Sequence, residues 1–268
     1  MANPFFQFKK FTVHQQHTSM KVCTDACLFG AWVAKQPSLE TAQSIVDIGS
    51  GTGLLSLMLA QVTETSMASI TAIEIEAQAA EEANSNFNIS KWSDRLKLVN
   101  DSIQNFAASI NMGNLVSNEL NNNNNNNRSK QLFDIVISNP PFYEGDLKSP
   151  DPNKNKAAHS TELPWNILLE NVANLLSNNG SFFVLVPTLR AYTMQKLAEA
   201  HQLQLVEEVL VYNDAKHLPF RSFLHFTKAK PTSEKDISVL RNKMVIKNAD
   251  NTYSTAFTEL LKDYYLYL

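Results

Sequence analysis

The chain has 268 residues, of which 44% are hydrophobic and 18% charged, and its formal net charge is −3. These values suit one sizeable α/β domain and argue against a protein whose whole surface is basic and binds nucleic acid. The two cysteines, Cys23 and Cys27, are too few for a disulfide framework and lack the partners of a zinc site. The N-terminus has no apolar signal core and the run at 54–60 is too short to cross a bilayer, so we expect a cytoplasmic protein without a membrane segment or bound metal.

Short apolar runs alternate with helical patterns along the chain. The opening "FFQFKKFTVHQQ" alternates aromatic and polar residues and predicts an edge hairpin or an extra strand. Predicted strands lie at 44–48, 70–75, 96–99, 133–138, 182–186, 205–211 and 222–227, and predicted helices at 53–62, 77–87, 164–176 and 188–201, with a helix stop at 178–180. This alternation predicts a mostly parallel, doubly wound, Rossmann-like α/β sheet. The last two strands are close in sequence without a helix between them, which predicts an antiparallel edge strand.

Two segments stand apart from the alternating pattern. Residues 121–127 are seven consecutive asparagines, and we expect a disordered surface insertion at about 113–130. Residues 1–40 precede the first strand of the sheet and are expected to pack as an N-terminal extension on a domain at 41–268.

A glycine-rich turn follows the first predicted strand of the sheet. In "VDIGSGTG" (46–53), Gly49 permits a tight turn, Gly51 permits close approach of a ligand, and Gly53 permits close packing. The spacing G-x-G-x-G differs from the G-x-G-x-x-G of dinucleotide binders. Asp47, two positions before the first glycine, supplies a carboxylate that can attract an ammonium group. The pattern therefore favours S-adenosyl-L-methionine over a nicotinamide dinucleotide.

Acidic residues follow at the next two strand ends. Glu74 lies 21 residues after Gly53, where a carboxylate can accept from both ribose hydroxyls. Asp101 follows the third strand and can accept from an adenine amino group. Each residue alone also fits a helix cap, but three such features in order indicate a cofactor site.

The fourth strand ends in "SNPPF". The residue before a proline is held extended, which fixes Asn139, and Pro140 and Pro141 have no N–H, so strand pairing ends there. The Asn139 amide oxygen and the Pro140 carbonyl can hold both hydrogens of a planar amino group and aim its lone pair at a methyl group. Phe142 can stack on the base that carries the amine. A simple strand-ending turn is the alternative.

Nearly the whole chain, apart from the asparagine insertion, resembles the class I S-adenosyl-L-methionine-dependent methyltransferases with an N-P-P-[YF] motif, and more narrowly the bacterial valine-tRNA adenine-N6 methyltransferase family. The resemblance is carried by "MKVCTDACLFGAW", "VDIGSGTGLLSLMLAQ", "AIEIEAQAAEEANSNF", "FDIVISNPPFY" and "YSTAFTELLKDYYL". It implies a seven-stranded fold and methylation of the adenine 3′-adjacent to the anticodon. It also implies that Lys21, Thr24 and Asp25 line the cofactor pocket, whereas Asp25 by itself fits equally well as a helix N-cap.

Three other functions remain open at this stage: a guanine-N2 methyltransferase of ribosomal RNA, a glutamine-N5 methyltransferase of proteins, and a non-enzymatic RNA-binding factor on the same fold. A tRNA substrate requires a basic surface. Residues 216–247 carry a charge balance of +6 and residues 1–36 one of +3. We expect Lys228, Lys230 and Lys243 to contact phosphates of a tRNA bound by a monomer.

Overall fold

The computed structural model describes residues 3–18, 20–111, 132–141, 163–229 and 238–268. The predicted insertion at 113–130 therefore lies outside the described residues. No helix within the described ranges is long and apolar enough to cross a membrane.

The described elements follow the alternating pattern of the sequence. The strands are β1 (Phe5–Gln7), β2 (Thr12–His14), β3 (Ser44–Ile48), β4 (Ser69–Glu74), β5 (Leu96–Asn100), β6 (Phe133–Ser138), β7 (Leu176–Pro187), β8 (Leu203–Asp214), β9 (Arg221–Lys228) and β10 (Leu240–Lys247). The helices are α1 (Thr24–Ala34), α2 (Ser38–Thr41), α3 (Leu54–Val62), α4 (Ala77–Asn88), α5 (Ile103–Asn111), α6 (Trp165–Leu175), α7 (Ala191–Ala200) and α8 (Thr255–Leu261).

The main sheet is mostly parallel, which confirms the predicted fold class. Its order is β10-β8-β9-β7-β6-β3-β4-β5. Two details differ from the prediction, because the described sheet has eight strands and its antiparallel strand is not at the edge. Strand β9 runs antiparallel between β7 and β8, and β10 adds a parallel edge strand beside β8. Strand β10 was not predicted; its first four residues are exposed, so it lacks a continuous apolar run.

Helices cover both faces of this sheet. On one face α1, α3 and α8 pack in a single apolar core, where Phe29 and Trp32 of α1 lie against Phe223 of β9. On the other face α5, α6 and α7 pack over β6 and β7. Parallel strands buried on both faces read as continuous apolar runs, as "IVDI" and "DIVIS" do here.

Some local predictions need correction. The "NNG" at 178–180 is part of β7, because α6 already ends at Leu175 and the strand begins directly after it. The helix predicted at 188–201 is a single 3-10 turn, Thr188–Arg190, followed by α7. The opening segment does form a hairpin, and β1 and β2 make their own two-stranded sheet.

Candidate functional site

The glycine turn leaves β3 and crosses to the end of β4. The backbone N–H groups of Gly49 and Ser50 donate to the Ile73 carbonyl at 2.9 and 3.1 Å. Gly49, Gly51 and Gly53 all have positive φ, at 71°, 54° and 79°, which favours glycine. A Cβ added at Gly49 or Gly51 would meet no described atom within 4 Å, so this backbone borders open space.

Asp47 is buried beneath the turn, with 0% of its surface exposed. Its Oδ2 accepts hydrogen bonds from the backbone N–H and the hydroxyl of Ser56, at 3.1 and 2.7 Å. These bonds satisfy an otherwise orphan donor in the first turn of α3. Burial raises the pKa of Asp47 to about 7, although the bonds from Ser56 act in the opposite direction. The carboxylate therefore positions α3, while its role as an ammonium partner remains a prediction.

Glu74 and Asp101 stand at the carboxyl ends of the next two strands. The Glu74 carboxylate accepts from the Gly51 N–H at 2.8 Å and from the Glu76 N–H at 3.0 Å. Asp101 lies just beyond Asn100, whose amide donates to the Glu74 carbonyl at 2.8 Å. The Glu74 carboxylate thus borders the glycine turn on the side away from β6, and Asp101 follows one strand further along, in the order that the sequence predicted.

Asn139 borders the same turn on its other side. Strands β3 and β6 pair through Ile48 and Ser138, and the Ser138 hydroxyl donates to the Ile48 carbonyl at 2.8 Å. Asn139 and Gly49 therefore leave the sheet side by side. The Asn139 amide nitrogen lies 3.9 Å from the Met20 sulfur. Its Oδ1 is buried, and no described residue donates to it.

Unsatisfied buried oxygens cluster at this point of the sheet. Asn139 Oδ1, Asp47 Oδ1 and Ser50 Oγ each lack a hydrogen-bond partner among the described residues, and all three lie in or beside the β3 and β6 ends. A buried polar atom without a partner is costly, so a group of them needs an explanation. S-Adenosyl-L-methionine carries an ammonium group and two ribose hydroxyls, which are hydrogen-bond donors. The residues present therefore fit this cofactor.

The three N-terminal residues that the resemblance assigns to the cofactor pocket lie in two different places. The Lys21 ammonium binds the carbonyls of Gln15 and Thr18, the latter at 2.9 Å, and so closes the loop before α1. Thr24 and Asp25 begin α1, where Asp25 Oδ2 accepts from the Arg221 guanidinium at 2.7 Å. Burial and the nearby Asp25 carboxylate raise the pKa of the Cys23 thiol to about 12, so the thiol is protonated.

Two residues of α4 organise the N-terminal loop, and the sequence reading missed both. The Glu82 carboxylate accepts from the backbone N–H groups of His17 and Thr18 and from the Thr18 hydroxyl. Burial alone would raise the pKa of Glu82, but these bonds outweigh it and lower the pKa. The Asn86 amide bridges the His14 carbonyl and the Thr52 carbonyl at 2.9 and 3.0 Å. Their spacing of four residues on the buried face of α4 was the available signal.

The remaining predicted residues lie elsewhere. Phe142 and Lys230 fall outside the described residues. Lys228 pairs in register with Leu203, the first residue of β8, so it lies at the opposite edge of the sheet from Asn139. Lys243 is in the middle of β10, with its ammonium 6.0 Å from the centre of the Tyr212 ring. Phosphate contacts of these lysines remain a prediction.

Comparisons with known proteins agree with this geometry. A family model described as Eco57I restriction-modification methylase matches residues 61–211, slightly more than half of the chain. In solved structures, a predicted O-methyltransferase of Agrobacterium tumefaciens aligns with a TM-score of 0.61 at 13% identity, covering 89% of this chain and 96% of that one. A class I S-adenosylmethionine-dependent methyltransferase of Listeria monocytogenes aligns with a TM-score of 0.54 at 15% identity, covering 81% and 64%. Both show the fold.

Full-length relatives define the family. A protein of Bacteroides fragilis named tRNA1(Val) (adenine(37)-N6)-methyltransferase is 35% identical over 99% of both chains. Proteins of the same name from Bacteroides thetaiotaomicron and Haemophilus influenzae are 34% and 33% identical, over 100% and 97% of this chain and 100% and 98% of theirs. The chain therefore belongs to the tRNA1(Val) (adenine(37)-N6)-methyltransferase family, and with it to the class I methyltransferases whose methyl donor is S-adenosyl-L-methionine.

Proposed function

We propose that this protein transfers a methyl group from S-adenosyl-L-methionine to the N6 amine of an adenine in tRNA, the base 3′-adjacent to the anticodon of valine tRNA. The family assignment supports the reaction and the tRNA substrate. We further propose that it acts as a monomer in the cytoplasm, with residues 1–40 as an N-terminal extension of the catalytic domain.

The observation that carries the proposal is the buried Asn139 Oδ1 without a described donor, at the end of β6 beside the glycine turn. An adenine N6 amine has two hydrogens, and one of them would satisfy this oxygen. The Pro140 carbonyl follows directly, and no described backbone N–H donates to it. Two acceptors on neighbouring residues can hold both amine hydrogens and leave the nitrogen lone pair directed away from them.

The cofactor supplies, when bound, a methyl group on a positively charged sulfur that a nitrogen lone pair can displace. Orientation of that lone pair is the chain's contribution. The methylated nitrogen would be positively charged until one of its two hydrogens leaves as a proton to solvent, and because such a cation is strongly acidic, no strong general base is required. Gly49 and Gly51 leave room for the cofactor, and Glu74 and Asp101 are assigned to its ribose and adenine. Lys21, Thr24, Asp25 and Asp47 complete the assigned cofactor residues, and Phe142 is assigned to stacking on the target base.

Transfer of a labelled methyl group to unmodified tRNA transcripts tests the reaction directly. We expect label in the valine transcript, at the adenine that follows the anticodon, identified by nuclease mapping. Transcripts in which that adenine is replaced by guanine should accept no label. Label in a guanine, or none in any tRNA, would reject the proposal.

Substitution of Asn139 tests the proposed mechanism. Asn139→Ala should lower kcat on the order of 10²-fold, because the amine loses its positioning acceptor, and should leave cofactor affinity within about twofold. Asn139→Asp keeps an acceptor oxygen and should retain more activity than Asn139→Ala. Asn84→Ala, at an exposed position on α4, is the matched control and should behave as wild type. Wild-type turnover of Asn139→Ala would remove this residue from the mechanism.

A further inference from the structure

Two surface loops stand together at the carboxyl edge of the sheet, next to Asn139. One is the turn Thr188–Arg190 after β7, and the other is the β8–β9 connection at 215–220. The Thr188 N–H donates to the Phe220 carbonyl at 3.3 Å, which joins the two loops. Neither loop takes part in the cofactor site described above.

These loops and the first turn of α7, which contains Tyr192, expose large apolar side chains. Leu189 is 94% exposed, Leu218 88%, Tyr192 70% and Phe220 36%. We call these four residues the apolar rim. Single exposed apolar residues are ordinary, but several on two hydrogen-bonded loops form a patch of the kind that marks an interaction site.

The backbone beneath the rim is held in place. Leu189 lies between Thr188, bonded to Phe220, and Arg190, whose guanidinium stacks 5.1 Å from the centre of the Trp165 ring. Before Leu218, the Asp214 carboxylate accepts from the Lys216 N–H and lies 2.8 Å from His217 Nδ1. The two leucines therefore project from turns that are already ordered, so a ligand that binds them would cause little further loss of backbone entropy.

The charge around the rim is weakly positive. The two loops and the start of β9 carry Arg190, Lys216 and Arg221 against Asp214 and the Asp25 carboxylate that binds Arg221, a local balance of +1. Apolar side chains with cations around them match an RNA strand, whose bases are apolar on their faces and whose phosphates are negative. The proposed substrate at Asn139 is RNA, so the same strand can continue over a patch on this edge of the sheet.

The distance to Asn139 also fits a nucleic-acid strand. Ser138 pairs with Val184 of β7, and Pro187 is three residues further along. By this register Asn139 is level with Leu185, so Pro187, which precedes the rim, lies about 7 Å along the strand and about 5 Å to the side, roughly 8 Å from Asn139. That separation corresponds to about two to three stacked nucleotides.

We propose that the apolar rim receives the unpaired nucleotides that flank the methylated adenine in an RNA loop, with Leu189 and Leu218 inserted between bases. The inference rests on the proposed function for the identity of the RNA. Removing a base from its stack costs a few kcal/mol, and apolar wedges are a known means of holding neighbouring bases unstacked. The rim would thus keep the target adenine extruded at Asn139.

The test compares wild-type protein, the double variant Leu189→Ser/Leu218→Ser and the control Ile89→Ser, whose side chain is 63% exposed at the end of α4. The substrates are a fluorescein-labelled anticodon stem-loop and the same stem-loop with 2-aminopurine next to the target adenine. For the double variant we expect at least 10-fold weaker RNA binding, a matching rise in KM, and loss of the 2-aminopurine fluorescence increase. Cofactor affinity should stay within twofold, and the control should match wild type.

Two outcomes would overturn the inference. One is wild-type RNA binding and fluorescence change in the double variant. The other is a wild-type dimer in sedimentation that the double variant abolishes without a change in RNA binding, because the rim would then cover a second copy of the chain. If wild-type protein binds the stem-loop but methylates no adenine, the proposed function fails, while the binding comparison still decides the role of the rim.

Discussion

Replacing Gly53 with alanine tests how the glycine turn packs against α4. Gly53 has φ of +79°, and a Cβ there would lie 2.4 Å from Phe87 Cε1 and 2.9 Å from Phe87 Cζ. Phe87 is 1% exposed, so its ring has little room to move aside. The left-handed backbone costs an alanine about 1–2 kcal/mol, and the overlap with Phe87 adds about 1–3 kcal/mol. We therefore expect the free energy of unfolding to fall by about 2–5 kcal/mol.

Gly51→Ala is the matched control for this prediction. Its φ of +54° is also left-handed, but a Cβ there would meet no described atom within 4 Å. Only the backbone cost applies, so the free energy of unfolding should fall by about 1–2 kcal/mol. Urea titration of both variants without cofactor measures the difference, provided that the slope with urea is unchanged.

The contact with Phe87 can be checked by a double-mutant cycle. In the Gly53→Ala background, Phe87→Leu shortens the side chain that the new methyl group meets, so the double variant should lose less stability than the two single losses combined. Equal losses for Gly53→Ala and Gly51→Ala, or strictly additive losses in the cycle, would refute the packing argument.

Two further predictions concern stability and local order. Burial lowers the pKa of His225 to about 4, so between pH 6.5 and 4 the unfolded chain binds a proton that the folded chain does not. The free energy of unfolding should fall by about 3 kcal/mol as the pH drops through this window. Urea titrations at several pH values should show a smaller fall for His225→Gln. An equal fall in the variant and in wild type would contradict the prediction. Glu82→Gln leaves one acceptor oxygen for several donors, so hydrogen exchange at 16–18 should accelerate while Glu81→Gln, at an exposed site, changes nothing. Unchanged exchange in Glu82→Gln would show that these bonds do not order the loop.

The positions of the candidate site residues at strand ends were predictable from the sequence. Asp47, Glu74 and Asn139 each follow or end an apolar run, and parallel strands place such ends at one edge of the sheet. Local chemistry also identified Gly49 and Gly51, because G-x-G-x-G requires positive φ in this turn. These inferences needed only the periodicity of the chain and the general rule for open sheets.

Contacts between distant segments were not predictable in the same way. Glu82 binds a loop about 65 residues earlier in the chain, and Asp25 pairs with Arg221 across 196 residues. No spacing rule connects such positions, because they meet through the packing of α1 and α4 on the finished sheet. Glu82 stands beside Glu81 in "AAEEANSNF", and nothing local distinguishes the buried carboxylate from the exposed one.

The direction of β9 shows why charge counts along the chain did not locate the cationic side of the site. Arg221 and Lys228 are the two ends of one strand and belong to the same basic segment. Because β9 is antiparallel, Arg221 stands beside Pro187 at the edge that carries Asn139, whereas Lys228 stands beside Leu203 at the other edge. Seven strand steps of about 3.3 Å separate the two cations by roughly 23 Å. Within the described part of the basic segment, strand direction therefore brings Arg221 to the edge that carries Asn139, where it binds Asp25, and takes Lys228 away from that edge.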